Sequence, residues 1–245
     1  MSVTPLPVSV PVRRSWIASY RRGHVALVPL LLALLACCVQ QSGLDAYVAH
    51  RLYDADHTRF ALQQAPVLDA IGHQALRAIP ALLAAAALFL LAAGFVRPAL
   101  KRWRGLALAL LAAMALSPLC VAMLKQLTAL PRPYALSEFG GTLVWPAQFW
   151  AGAGQPAGHA LPSHHAASGF AVGLLYFFGW AAGKPRLRWG GLIAGVLLGS
   201  LFSALRIGQG AHFLSQTCWS AVVVWTVGAL CFWPLLRRDG RTTNA

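Results

Sequence analysis

The sequence predicts an all-α integral membrane bundle of six transmembrane helices, with a helical loop lying in the membrane interface between spans one and two. Three observations predict it. Of the 245 residues, 58% are hydrophobic and 11% charged, and mean hydropathy is +0.61, whereas soluble domains carry about a quarter charged residues. Six apolar runs approach the ~20 residues that a helix needs to cross the hydrocarbon. Basic clusters separate alternate runs, as the positive-inside rule requires of a multi-pass chain. At 26.2 kDa the chain suits a single domain spanning residues 1–245.

The first run, residues 25–39, follows a tail (residues 1–24) that holds Arg13, Arg14, Arg21 and Arg22. Its "LLAC" string resembles a lipoprotein cleavage box ending at Cys37. The long basic region before it, and the charge pattern with the run retained, favour a span. The loop 43–78 is too long for a turn, and its apolar residues recur at helical spacing, which predicts one or two interfacial helices. Span two covers residues 79–96. A basic loop with Arg97, Lys101, Arg102 and Arg104 leads to span three, 105–123. Span four covers 166–182. Lys184, Arg186 and Arg188 separate it from span five, 190–205, and span six, 213–236, ends at a tail (237–245) with Arg237, Arg238 and Arg241. Six crossings put these basic clusters, most of the 20 Lys and Arg residues, on one side. Asp45, Asp54, Asp56, Asp69 and Glu138 fall on the other. Both termini are therefore expected in the cytoplasm.

The net charge of +14 would suggest nucleic acid in a soluble protein. Here the basic residues form short inter-span clusters with no interleaved stacking aromatics, so nucleic acid is not an expected partner. Cys37, Cys38, Cys120, Cys218 and Cys231 lie in or beside apolar runs without metal-ligand spacing.

Three polar clusters fall on the side away from the basic loops. In "KQLTALPRPY", Lys125 and Arg132 are seven residues apart, which allows both to share one helix face before Pro131 and Pro133 stop the helix. In "LPSHHAASGF", Ser163 is a natural N-cap, and a helix N-terminus with His165 beside it suits a phosphate. In "RIGQGAHFLSQ", Gly208 and Gly210 permit a tight turn after Arg206. Gln216 lies four residues beyond His212, at the spacing that would orient its ring.

Together the clusters resemble the type 2 phosphatidic acid phosphatase superfamily of membrane phosphatases, related in fold to vanadium haloperoxidases. That family carries K-x6-RP, PSGH and SR-x5-H-x3-D. This chain has Lys125-x6-Arg132-Pro133, then Pro162-Ser163-His164-His165, then Arg206-x5-His212-x3-Gln216. The resemblance implies that Lys125, Arg132 and Arg206 bind phosphate oxygens, and that Ser163 adds a hydrogen bond with His164 beside it. It further implies that His212 is the nucleophile, that His165 is the general acid, and that neither metal nor cofactor is needed. The residue types suit that chemistry, since phosphoryl transfer calls for cations on the equatorial oxygens and an in-line nucleophile.

Three positions depart from the pattern. His164 replaces the family's glycine, Leu205 its serine, and Gln216 its closing aspartate, which leaves a neutral acceptor for the His212 ring. An aspartate at 216 would then be expected to work at least as well as the glutamine. A second string, "PAGH", ends at His159, a lower-ranked candidate acid. The expected substrate is a phosphorylated membrane lipid such as undecaprenyl pyrophosphate, a lipid A phosphate or a phospholipid phosphate, met at the periplasmic face of a bacterial inner membrane. Alternatives are a phosphotransferase delivering phosphate to lipid A, an impaired family member, and a lipid transporter or binding protein indifferent to His212.

Overall fold

Runs of Leu and Ala free of charge become helices as soon as bilayer or protein surrounds them, because the backbone must satisfy its own polar groups there. The computed structural model describes residues 19–152 and 156–236; parts of the basic tails, including Arg13, Arg14, Arg237, Arg238 and Arg241, lie outside the described residues. Helix α1 (Val28–Gln41) is led by a π-helical segment, Arg21–Leu27. Helix α2 (Leu44–Leu52), a two-stranded hairpin (β1, Tyr53–Asp54; β2, Arg59–Phe60) and helix α3 (Pro66–Val96) follow. After a 3-10 segment, Pro98–Trp103, come α4 (Arg104–Leu127), α5 (His164–Phe170), α6 (Leu174–Ala181), α7 (Pro185–Gly208) and α8 (Leu214–Leu236).

Five helical stretches are long and apolar enough to cross a membrane: Arg21–Gln41, Ala78–Val96, Pro98–Leu127, Pro185–Gly208 and Leu214–Leu236. The chain is a multi-pass membrane protein. The expected fourth span is helical throughout, but a 3-10 turn, Ala171–Gly173, divides it into α5 and α6. It is also the most enclosed part of the bundle, with Leu174, Tyr176, Phe177 and Phe178 all buried. A helix apolar on every side belongs inside a protein.

The cause of the enclosure is glycine. On α7, Gly191, Gly195 and Gly199 recur every fourth residue and face α5–α6. A Cβ on Gly195 would lie 2.3 Å from the Gly173 nitrogen, and one on Gly199 would strike the Phe170 ring. The two backbones therefore meet almost directly.

Two expectations for the loops need correction. The stretch before span two is not a separate interfacial helix. It is the start of the 31-residue α3, because nothing between Pro66 and Val96 breaks the helical repeat except Pro80, which the helix absorbs. The hairpin was not foreseen, since its strands are two residues each. Likewise α4 ends at Leu127, before Pro131. Thr128 turns extended and pairs with Trp150, while Leu130 and Arg132 each precede a proline, which disfavours helix. Lys125 and Arg132 therefore do not share a helix face.

The ends of the bundle differ in charge. The C-termini of α4 and α7 and the N-termini of α5 and α8 share one end with Asp45 and Glu138. The opposite end holds Arg104 at the start of α4 and Arg188, whose guanidinium lies 4.0 Å over the Trp180 ring.

The glycine contact yields a contrast. Gly195→Leu is expected to destabilise the protein by at least about 3 kcal/mol through overpacking. Gly190→Ala, where a Cβ meets nothing within 4 Å, should gain up to about 1 kcal/mol of helix propensity. Melting temperatures in detergent check both.

Candidate functional site

Three separate segments converge at the end of the bundle where α4 stops and α8 starts. Each is tied to the others by hydrogen bonds. Tyr134 N–H donates to the Gly210 carbonyl (3.0 Å), and Gly158 N–H to the Thr128 carbonyl (2.9 Å). Ser163 N–H donates to Ser220 Oγ (2.9 Å). The turn at Gly210 has φ +65°, and a Cβ there would strike Phe60 of β2, so only glycine fits.

The geometry centres on His212, which is 3% exposed. It precedes α8 by two residues. Its Nδ1–H donates to Gln216 Oε1 (3.3 Å), and the same oxygen accepts the Phe213 N–H (3.1 Å). The Gln216 amide nitrogen donates to the Pro131 carbonyl (3.0 Å). These three bonds fix the amide's orientation, and with it the ring tautomer. The proton stays on Nδ1, and Nε2 keeps its lone pair. The expected orienting contact is thus present, with an addition that changes its meaning: Gln216 is a donor as well as an acceptor. Aspartate is shorter by one methylene and cannot donate to Pro131, so the two residues are not interchangeable here.

Burial, and then the cations of Lys125, Arg206 and Arg132, hold the His212 pKa well below its ordinary value. The backbone brings Arg132 and Arg206 to the segment that bears His212: Gln216 holds Pro131, next to Arg132, and the Ala211 N–H donates to the Arg206 carbonyl (2.9 Å). Lys125 Nζ donates to the His159 carbonyl (3.0 Å), Arg132 Nη1 to Tyr134 Oη (2.7 Å) and Arg206 Nη1 to Gln209 Oε1 (2.6 Å). Neutral acceptors thus aim the cations.

Ser163 caps α5 as expected, its Oγ accepting the Ala166 N–H. It is fully buried. His164 is the first residue of α5 and right-handed, so the glycine it replaces is not needed here for a left-handed backbone. Its Nε2–H reaches the Pro118 carbonyl (3.3 Å), which turns its ring toward α4. His165, partly buried, is the second residue of α5. His159 is exposed at φ +56° and contributes its carbonyl to Lys125.

Sequence reasoning did not find Tyr134, Gln209, Thr128 or Ser220. Tyr134 and Gln209 aim arginines. The Thr128 hydroxyl lies 3.2 Å from the Leu161 carbonyl, and Ser220 holds Ser163. The recurrence His212, Gln216, Ser220 at every fourth residue was a readable signal for the last.

A family model described as the PAP2 superfamily matches residues 106–239, which contain all three clusters. No curated protein and no solved structure matches the chain.

Two measurements test the geometry. Gln216→Leu leaves the Phe213 N–H and the Pro131 carbonyl unpaired, so a stability loss of about 2–4 kcal/mol is expected from the melting temperature. Lys125→Met removes a cation that opposes protonation, so the His212 pKa read by histidine NMR should rise. An unchanged pKa would mean that the cation does not reach the ring.

Proposed function

The chain belongs to the PAP2 superfamily, and on that premise we propose that it is a metal-independent membrane lipid phosphatase acting through a phosphohistidine. The observation that carries this reading is the convergence of Lys125, Arg132 and Arg206 on one buried imidazole whose Nδ1 is already committed to Gln216. The three cations take the non-bridging oxygens of a phosphate. His212 Nε2 attacks phosphorus, the bond from phosphorus to the leaving oxygen breaks, and His165 gives that oxygen its proton. A water, losing a proton to His165, then attacks phosphorus. The P–N bond breaks, and inorganic phosphate leaves. A depressed pKa keeps His212 neutral and nucleophilic at neutral pH.

A lipid substrate is supported by the surroundings. The cluster sits at the end of apolar helices. Beside it an apolar cavity of about 530 Å³ is bounded by Leu32, Phe170, Val196, Ile207, Leu214 and Trp225. The substrate is a polyprenyl pyrophosphate, a lipid A phosphate or a phospholipid phosphate. The basic residues at the far end support cytoplasmic termini in a bacterial inner membrane, with the site facing the periplasm. The neutral Gln216 favours a second reading, in which the phosphohistidine is passed to an acceptor lipid such as lipid A.

Phosphate release from a panel of phosphorylated lipids tests the reading. His212→Ala is expected to lower kcat by about 10⁴-fold. Arg206→Ala should cost ~2 kcal/mol in kcat/KM. Gln216→Glu, which keeps the reach of the side chain, should retain more activity than Gln216→Asp. Turnover indifferent to His212 would sink the phosphatase reading, and release only with an acceptor lipid present would establish transfer.

A further inference from the structure

Asp45 lies in the first turn of α2, outside the segment that the family model matches. It is the one buried carboxylate among the described side chains, at 7% exposure. An ionised carboxylate out of water is costly unless every lone pair finds a donor. The donors come from α8, 170 residues away. Asp45 Oδ1 accepts the Ser215 N–H (2.9 Å), and Oδ2 accepts the Ser215 hydroxyl.

The first N–H groups of any helix lack partners within it. At α8 they are divided between two acceptors. Gln216 Oε1 takes the Phe213 N–H from inside the helix. Asp45 takes that of Ser215 from outside. The loop carrying His212 enters α8 between these two anchors. Two helix N-termini, those of α2 and α8, also face the same carboxylate, which favours its anionic form. Burial nonetheless pushes its pKa up, against the Ser215 bonds.

Both α2, which bears Asp45, and the hairpin that follows it are fastened to the site. Leu62 N–H donates to the Gly208 carbonyl (2.9 Å). Phe60 packs against Gly210. His50 and Glu138 pair at 2.6 Å, joining α2 to the loop that follows Arg132.

We infer that Asp45 is a positioning residue for the phosphoryl transfer: by tying Ser215 to α2, its carboxylate sets the place from which His212 Nε2 faces phosphorus. It never meets the substrate, and its charge is taken up by an α8 amide and a hydroxyl. This inference rests on the phosphatase reading. It adds a component that the three clusters do not contain.

The test compares Asp45→Ala, Asp45→Asn and Ser215→Ala in the full chain. It measures kcat, KM, and inhibition by orthovanadate and by inorganic phosphate. Orthovanadate mimics the five-coordinate phosphorus and senses the nucleophile's position, whereas phosphate is held by the cations. Asp45→Ala is expected to lower kcat by about 100-fold, the scale of a small misplacement. The vanadate inhibition constant should rise about tenfold. KM and phosphate inhibition should stay within about twofold. Asp45→Asn, which keeps one acceptor, should recover most of the loss, and Ser215→Ala should weaken vanadate by about threefold. A misfolded fraction lowers apparent kcat but leaves inhibition constants untouched. Unchanged vanadate inhibition in Ser215→Ala therefore overturns the inference even if Asp45→Ala cannot be purified. A native protein that neither releases phosphate nor binds vanadate overturns the phosphatase reading, and this inference with it.

Discussion

The side chain of Gln216, a residue 1% exposed, joins the loop after α4 to the start of α8. Its oxygen accepts from the His212 ring and from the Phe213 amide, and its nitrogen donates to the Pro131 carbonyl. A buried amide must satisfy both ends, because an unpaired polar group in the interior costs about as much as several ordinary hydrogen bonds gain. That requirement fixes the loop after α4 relative to the start of α8. It also fixes the protonated nitrogen of His212. The placement of Arg132 follows from it, since Arg132 is adjacent to Pro131, and Arg206 in the last turn of α7 leads into the loop that ends at His212.

Three like charges near a buried imidazole repel one another, and neutral groups hold them in place. The hydrogen bonds given to Lys125, Arg132 and Arg206 go to a carbonyl, a phenol and an amide oxygen. A carboxylate in any of those positions would hold its cation more tightly and leave less field for a phosphate. The one buried carboxylate among the described residues, Asp45, instead bonds to the α8 N-terminus. Under the proposed function, the ligand that suits such a cluster is an anion.

Rigidity below the pocket comes from the glycine contact between α7 and α5–α6. Close backbone approach on one side gives α5 little freedom to shift, so the residues at its N-terminus, Ser163 to His165, are held by the same packing that holds the bundle. Ser163 is locked again from α8, through Ser220. The site is therefore carried by helix ends that are themselves pinned.

Local rules determined much of this protein from sequence alone. Length and hydropathy located five helices long and apolar enough to cross a membrane, where six spans were expected. The cap at Ser163, the order and spacing of the three clusters, and the pairing of His212 with Gln216 were also legible, since each depends on neighbours within a few residues. Tertiary structure alone decided the rest. It ended α4 at Leu127, because Thr128 found a partner in Trp150, and it broke the fourth apolar run into two helices against the glycines of α7. It gave Gln216 a donor role toward a carbonyl 85 residues away and brought Asp45 to Ser215 across 170 residues. No periodicity encodes such contacts. They exist only where packing brings an unsatisfied donor and an unsatisfied acceptor into the same dry volume.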